Sequence, residues 1–573
     1  MSRERSRETV LSANDEERPT VLDELGAEYH ELFATWSPIN ATSFGIPGHD
    51  HQVPDLAPTA QREVVRRMVR IRETVAGISQ EGLREGDRST RSALLYATQA
   101  VIDTIESRVI DWAIGGVGAG PIYSVLALVG KAAGGTEAQA AAYLERCTRL
   151  PRYLDQSAQR LLEGAESGFV ANRQELVSAI AQIEGYLASS STSDPLLEIL
   201  PQIPGVDVRS EVEAVVNSRV RPAMRRLLAV VREDLLPVAR SDDKCGMIHL
   251  PGGGELYARA VSTHTTADFT PEELHRIGLN QRDELCDELC EIAQSELGIS
   301  GFENVRERMR TARALRYRDS DEILHGVRSA LRRAEQVVPL WFNVEHIARC
   351  EVLELNDEEA RFAPIGQYRP PDGSRPGQYW VNASEPMTRS RYEYEAVSFH
   401  EGVPGHHLQL AISQDLSALS EFRRYLYVTA HGEGWGLYAE RLADEMGLYS
   451  SDLARMGMVA LDLWRAARLV VDTGIHAFGW TRNQAIEYMQ DNTVLNSPEI
   501  VSEVDRYIGW PGQALAYMVG RLEIARLRTH AEAALSDRFD ISRFHELVLG
   551  GGSLPLHEVA DVVQRWILRT ERH

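Results

Sequence analysis

Apolar residues recur at every third or fourth position along most of the chain, the spacing that gives an α-helix one buried stripe. Val64, Met68, Ile71 and Val75 follow it, and Leu94, Ala97, Val101, Ile105 and Val109 repeat it. The pattern predicts a helix from Val21 to Trp36, ended by Pro38, and long amphipathic helices between residues 59 and 114. Further helices are expected over about 136–164, 168–188 and 209–239, with Ser189 to Pro195 as a flexible connection, and again from Arg391 onward, apart from turns at Gly447 and Gly509 to Gly512. The texture changes at Lys244. Pro251-Gly252-Gly253-Gly254 and Tyr257 to Thr266 read as loop plus short extended segments, and Thr270-Pro271-Glu272-Glu273 then opens a helix with an N-cap and a proline in its first turn. Only Cys350 to Leu355 and Gln378 to Val381 have the β-branched and aromatic character of strands. A small sheet there would offer an edge able to hold an extended peptide.

The expected fold is therefore mainly α, with a minor β element between about 347 and 383. The length of 573 residues suits a large two-lobed helical fold around a deep cleft. Residues 1–19 read as a charged, disordered arm, 20–243 as an N-terminal helical lobe and 244–573 as a catalytic helical lobe, together one integrated fold.

Composition narrows the function. No stretch reaches the 18 or more apolar residues of a membrane span, and the arm lacks the apolar core of a signal peptide, so a soluble, cytoplasmic protein without a membrane partner is expected. A formal charge of −23 opposes binding to phosphate backbones and argues against nucleic acid as a partner. Five cysteines, odd in number and scattered, do not suggest a disulfide framework; Cys286 and Cys290 lie one helical turn apart without a second pair to complete a metal site. The glycine run Gly115 to Gly120 follows a helical segment and precedes Pro121, which reads as a turn rather than a dinucleotide-binding loop. His49 and His51, in a segment rich in glycine and proline, read as solvated loop residues.

The chemistry concentrates in His400-Glu401-Gly402-Val403-Pro404-Gly405-His406-His407. In the shorter HExxH arrangement two histidines one turn apart reach a single ion, and the glutamate beside the first serves as general base to the metal-bound water. Here the spacing is longer. On an unbroken helix His406 would sit about 240° round from His400, and His407 about 10 Å along it, so neither pair could chelate one ion. Pro404-Gly405 supplies a break, because proline removes a backbone donor and glycine accepts unusual dihedrals. With Gly402 to Pro404 bulged out, His406 returns to the place of the second ligand, and His407 is the alternative. Glu433, on the next predicted helix, stands where zinc hydrolases of the glutamate type take a third ligand. His400, His406 and Glu433 would make a His₂Glu set around one zinc ion with a position left for water, and Glu401 would be the catalytic base.

The segments HEGVPGHHLQ, EGWGLYAE, Asp472 to His476 and Pro511 to Tyr517 resemble, in that order, the signature blocks of the family known as domain of unknown function 885. The resemblance is specific from about Leu250 to Arg569. It implies a helical metallopeptidase-like fold similar to the thermostable carboxypeptidase Taq family, and more distantly to the angiotensin-converting-enzyme and thimet-oligopeptidase types, with a metal site and no assigned substrate.

A zinc hydrolase also needs donors for the developing oxyanion, and His476, Tyr507 and Tyr517 are the candidates. Arg506 and Arg528 could clamp a substrate carboxylate. Glu440, seven residues after Glu433 on almost the same helix face, could orient a ligand imidazole, with Glu395 and Asp472 as other candidates for that role. The function these residues point to is hydrolysis of amide or peptide bonds in short peptides. Two alternatives stand beside it: a metal-dependent enzyme that hydrolyses or forms amides of a non-peptide metabolite, and a helical binding protein that kept the fold without the metal.

Overall fold

Helices form where the spacing of apolar residues predicts them, and their first turns are set by local capping. In this computed structural model the described residues are 20–572 apart from 116–119, 130–135, 198–199, 201–207, 345–346, 357–359, 361–362, 372–375 and 417–418. The expected arm over 1–19 and most of the glycine run, 116–119, lie outside the described residues. Val21–Trp36, Glu137–Glu166 and Pro271–Leu297 each begin with a threonine, Thr20, Thr136 and Thr270, in a reciprocal capping box. Pro58–Ala76, Glu85–Glu106 and Arg173–Ala188 complete the predicted N-terminal set, and the helical run from Val208 to Leu235 includes two π segments, Val216–Val220 and Val230–Leu235.

Two expectations change. The stretch read as loop and extended segments is the helix Gly253–Thr265. Tyr257, Val261 and Thr265, four apart, are buried on one face, and that tertiary burial overrides the β-leaning character of the residues between them. His49, read as a solvated loop residue, is buried and faces Glu31 at 3.6 Å.

The β element has three strands rather than two: β1 Cys350–Glu354, β2 Gly366–Arg369 and β3 Gly377–Val381. Their order is β1-β3-β2, with β1 parallel and β2 antiparallel to β3, and Tyr368 stands opposite Tyr379. β2 is too short and too polar for its period to be legible.

Two close helix pairs frame the centre of the molecule. Asp452–His476 is buried on nearly all sides and lies against Pro271–Leu297, where a Cβ on Gly278 would come within 2.8 Å of Leu469 Cβ. Thr429–Glu445 lies against Ala516–Leu535 with their glycines in contact, since a Cβ on Gly434 would come within 2.5 Å of the Gly520 carbonyl carbon. Such backbone approach holds the 429–445 helix in one position. A core containing Leu94 and Val101 from the N-terminal helices together with Phe399, Trp435 and Ile524 surrounds it. Residues of 137–235, among them Leu150, Leu154, Ile183, Val216 and Met224, build a separate core. Fully burying each such side chain contributes about 1.5–3 kcal/mol. Among the described residues no helix is long and apolar enough to cross a membrane.

Candidate metal centre

The break that the HExxxxH spacing requires is present as a turn between two helices. Tyr394–Glu401 stops at Gly402, the Val403–Pro404 peptide is cis, and His406–Asp415 starts after Gly405. Gly402 and Gly405 have dihedrals of −99°/−120° and −80°/−131°. The space also demands glycine: a Cβ on Gly405 would collide with the carbonyl oxygen of His400, and one on Gly402 with Leu331. Trp435 Nε1–H donates to the Pro404 carbonyl at 3.0 Å and ties the turn to the 429–445 helix. The outcome is two imidazoles, of His400 and His406, perpendicular to each other with centroids 4.7 Å apart.

Glu433 completes the group. Its Oε2 is 3.6 Å from Nε2 of His400 and 3.6 Å from Nε2 of His406. Among the described residues these three form the one cluster of His, Cys, Asp or Glu whose donor atoms, one from each residue, all lie within 4.8 Å of one another. The opposite ring nitrogens are occupied. His400 Nδ1 bonds the buried carboxylate of Glu440 at 2.8 Å, and His406 Nδ1 donates to Gln409 Oε1 at 3.3 Å. This leaves the Nε2 atoms facing the shared space. Gly436 makes room for His400, since a Cβ there would lie 2.6 Å from the imidazole Cε1. Burial opposes a charge on His400, but hydrogen bonds with Glu433 and Glu440 outweigh it and raise its pKa to about 9. Burial alone would raise Glu433, yet its close contacts with the two histidines hold it well below the usual carboxylate range. The carboxylates thus stabilise positive charge between the rings, which suits a divalent cation in a two-imidazole, one-carboxylate set.

Glu401, next to His400, lies outside that donor cluster. Burial raises its pKa against the lowering influence of His400 and His406, and the Tyr368 backbone N–H on β2 bonds its carboxylate. His407 supports this contact. Its Nε2–H donates to the Ala348 carbonyl at 2.6 Å and its Nδ1 accepts from the Tyr368 hydroxyl at 2.9 Å, so both nitrogens are engaged and His407 does not replace His406.

Of the three expected oxyanion donors only Tyr517 is beside the cluster, its ring stacked at 21° with centroid 6.5 Å from that of His400 and the Arg468 guanidinium 4.4 Å from its own centroid. His476 is elsewhere. It accepts from the Met247 N–H at 3.1 Å and bonds the Tyr507 carbonyl at 2.9 Å, and burial lowers its pKa to about 3, so it is a neutral packing residue. The Tyr507 hydroxyl is buried, donates to Glu503 at 2.7 Å and accepts from Trp464 and Arg468 at 3.0 Å. Neither expected carboxylate clamp is free: Arg506 pairs with Glu503 and Gln513, and Arg528 with Glu445 and Glu532. Asp472 accepts from Tyr257 and Gly512, with its carboxyl pushed up to about 7 by burial, and Glu395 pairs with Arg333 and Ser450, so of the three carboxylates considered only Glu440 bonds an imidazole of the cluster.

Sequence reasoning missed Tyr368, Gln409, Tyr427 and Gly436. Gly436 had a signal, because glycines inside a predicted helix mark close approach. Tyr427 had none, since it precedes the 429–445 helix and no helical spacing relates it to Glu433.

The family model described as "Bacterial protein of unknown function (DUF885)" matches residues 38–563. None of the curated proteins matches this chain in sequence. Two solved structures, each described as a "putative lipoprotein", are similar. That from Colwellia psychrerythraea has a TM-score of 0.88 at 26% identity, covering 96% of this chain and 99% of its own. That from Shewanella oneidensis, described as of unknown function, has a TM-score of 0.73 at 17% identity, covering 95% and 100%, and shows the fold alone. The description of the Colwellia structure overturns the cytoplasmic expectation. A lipoprotein is held at a membrane by covalent lipid, which requires no spanning helix, so the absence of such a helix among the described residues does not argue for the cytoplasm.

Proposed function

We propose that this chain, which belongs to the family of bacterial proteins of unknown function designated DUF885, is a zinc-dependent hydrolase that cleaves amide or peptide bonds of short peptides. The observation that carries the reading is the convergence of His400 Nε2, His406 Nε2 and Glu433 Oε2 beside an adjacent, unligated Glu401. The resemblance to helical metallopeptidases of the carboxypeptidase Taq type supports it. The lipoprotein description of the similar Colwellia structure supports a place at a membrane surface outside the cytoplasm.

His400, His406 and Glu433 would hold the ion, and Glu440 and Gln409 fix the ring orientations. Bound zinc supplies a water of lowered pKa, near 7 in favourable sites, and polarises the carbonyl. Glu401 would act as the proton acceptor toward an attacking water and as donor to a leaving amine, held in place by its partial burial and the Tyr368 N–H, and Tyr517 would offer a hydroxyl to the developing oxyanion. Strand β2, whose Tyr368 N–H already meets Glu401, supplies an edge for an extended peptide.

The test is metal analysis of the purified protein followed by a peptide-library digest. One equivalent of zinc and peptide cleavage that is lost in Glu401→Gln support the reading. Bound zinc without cleavage of any peptide points to a non-peptide amide, and a protein that takes up no zinc is a binding protein with this fold.

A further inference from the structure

Glu433 has two oxygens and only one of them faces the histidines. Oε2 is 3.6 Å from both Nε2 atoms, while Oε1 accepts a hydrogen bond from the hydroxyl of Tyr427 at 3.0 Å. Tyr427 comes from the segment just before the 429–445 helix and is half-buried. The helix is shaped around its ring: Gly432, next to Glu433, faces the phenol, and a Cβ there would lie 2.5 Å from Tyr427 Cζ and closer still to its oxygen. A glycine inside a helix is less favourable than alanine, and here it leaves room for one hydroxyl on one carboxylate oxygen.

The consequence is a matter of coordination number. A catalytic zinc site has three protein ligand atoms and one position for water. A carboxylate free to rotate can bind through both oxygens and occupy the fourth position itself. We infer that Tyr427 is a positioning residue that restricts Glu433 to one-oxygen coordination and so keeps the water position open. The inference rests on the metal reading above and adds to it a residue on which the geometry of the site depends.

Two substitutions act on the contact from opposite sides. Tyr427→Phe keeps the ring and removes the donor; Gly432→Ala keeps the phenol and pushes it away from Glu433. Zinc affinity is measured by competition with a chromophoric chelator, and the coordination by the visible absorption spectrum of the cobalt-substituted protein, with circular dichroism as the check on folding. Both variants are expected to bind zinc on the order of 10- to 100-fold more weakly than the parent, and to share one altered cobalt spectrum. A phenol that served only as packing would leave the spectrum of Tyr427→Phe unchanged. Parental affinity and parental spectrum in a folded Tyr427→Phe overturn the inference, and if that variant does not fold, the same result in Gly432→Ala overturns it. Failure of the unsubstituted protein to take up zinc or cobalt overturns the metal reading itself, a distinct result seen before any variant is made.

Discussion

The carboxylate of Glu440 and the imidazole of His400, forty positions apart in the chain, are joined by a 2.8 Å hydrogen bond in which neither partner is exposed to solvent. The bond places the Nδ1 proton on the Glu440 side and turns Nε2 toward Glu433 and His406. Glu440→Gln retains the shape and weakens the acceptor. It is expected to keep one metal site per chain but to lower zinc affinity on the order of 10- to 100-fold, read by chelator competition. Unchanged affinity would make Glu440 a packing residue.

Substitution of the three clustered residues has a harsher outcome. His400→Ala, His406→Ala and Glu433→Ala are each expected to lose stoichiometric zinc by elemental analysis. His407→Ala is expected to retain it, because its nitrogens are engaged by Ala348 and Tyr368. Losing the two hydrogen bonds of this buried imidazole to part-buried partners costs about 0.5–1.5 kcal/mol each, measured as a lower Tm. Zinc loss in His407→Ala with retention in His406→Ala would exchange their roles.

Glu401→Gln separates chemistry from binding. The amide keeps the volume and can still accept from the Tyr368 N–H, but it cannot take a proton. Zinc content and folding should match the parent while kcat on a cleaved peptide falls on the order of 10²-fold or more. Near-normal turnover would remove Glu401 from the reaction.

The helix pair behind Glu433 is equally testable. A Cβ on Gly520 would collide with the Ala430 carbonyl, and the backbone there has no flexible side chain to move aside. Gly520→Ala should therefore be destabilising by about 1–3 kcal/mol despite alanine's better helix propensity, read from denaturant unfolding. A stabilised variant would show that the two helices are further apart.

His476 predicts a pH dependence with a definite sign. Burial lowers its pKa to about 3, against about 6.5 in an unfolded chain. Between those values the unfolded state binds the extra proton, so the stabilisation from neutral His476 is complete above about pH 6.5 and is lost as pH falls toward 3. His476→Gln cannot titrate. The difference in unfolding free energy between parent and variant should shrink as pH is lowered from 7 to 4, and a constant difference would contradict the burial of a neutral imidazole. Single-site comparison is needed because Asp472, raised to about 7, acts in the opposite sense: its stabilisation is complete below about pH 3.8 and is lost as pH rises through 7.

The helical class was determined by the sequence alone, because a period of three to four residues and a capping threonine such as Thr20 or Thr270 act within one or two turns of the chain. The residue types of the donor cluster were legible for the same reason: His400 and Glu401 are adjacent, and the need for a break before the second histidine follows from helix geometry and from Pro404-Gly405. Local rules could not choose between His406 and His407. That choice depends on the turn at 402–405 fitting between Leu331, the His400 carbonyl and Trp435, and on Tyr368 from a strand too short to predict engaging His407. His476, Tyr507, Arg506 and Arg528 looked like site residues because their side chains can donate, but a side chain's role is decided by what packs against it. His476 is held by Met247, 229 positions away, and Tyr507 by Trp464 and Arg468, 43 and 39 positions away. Tyr427 and Glu433 are close in sequence yet in different elements, and only the packing around Gly432 brings the hydroxyl to the carboxylate.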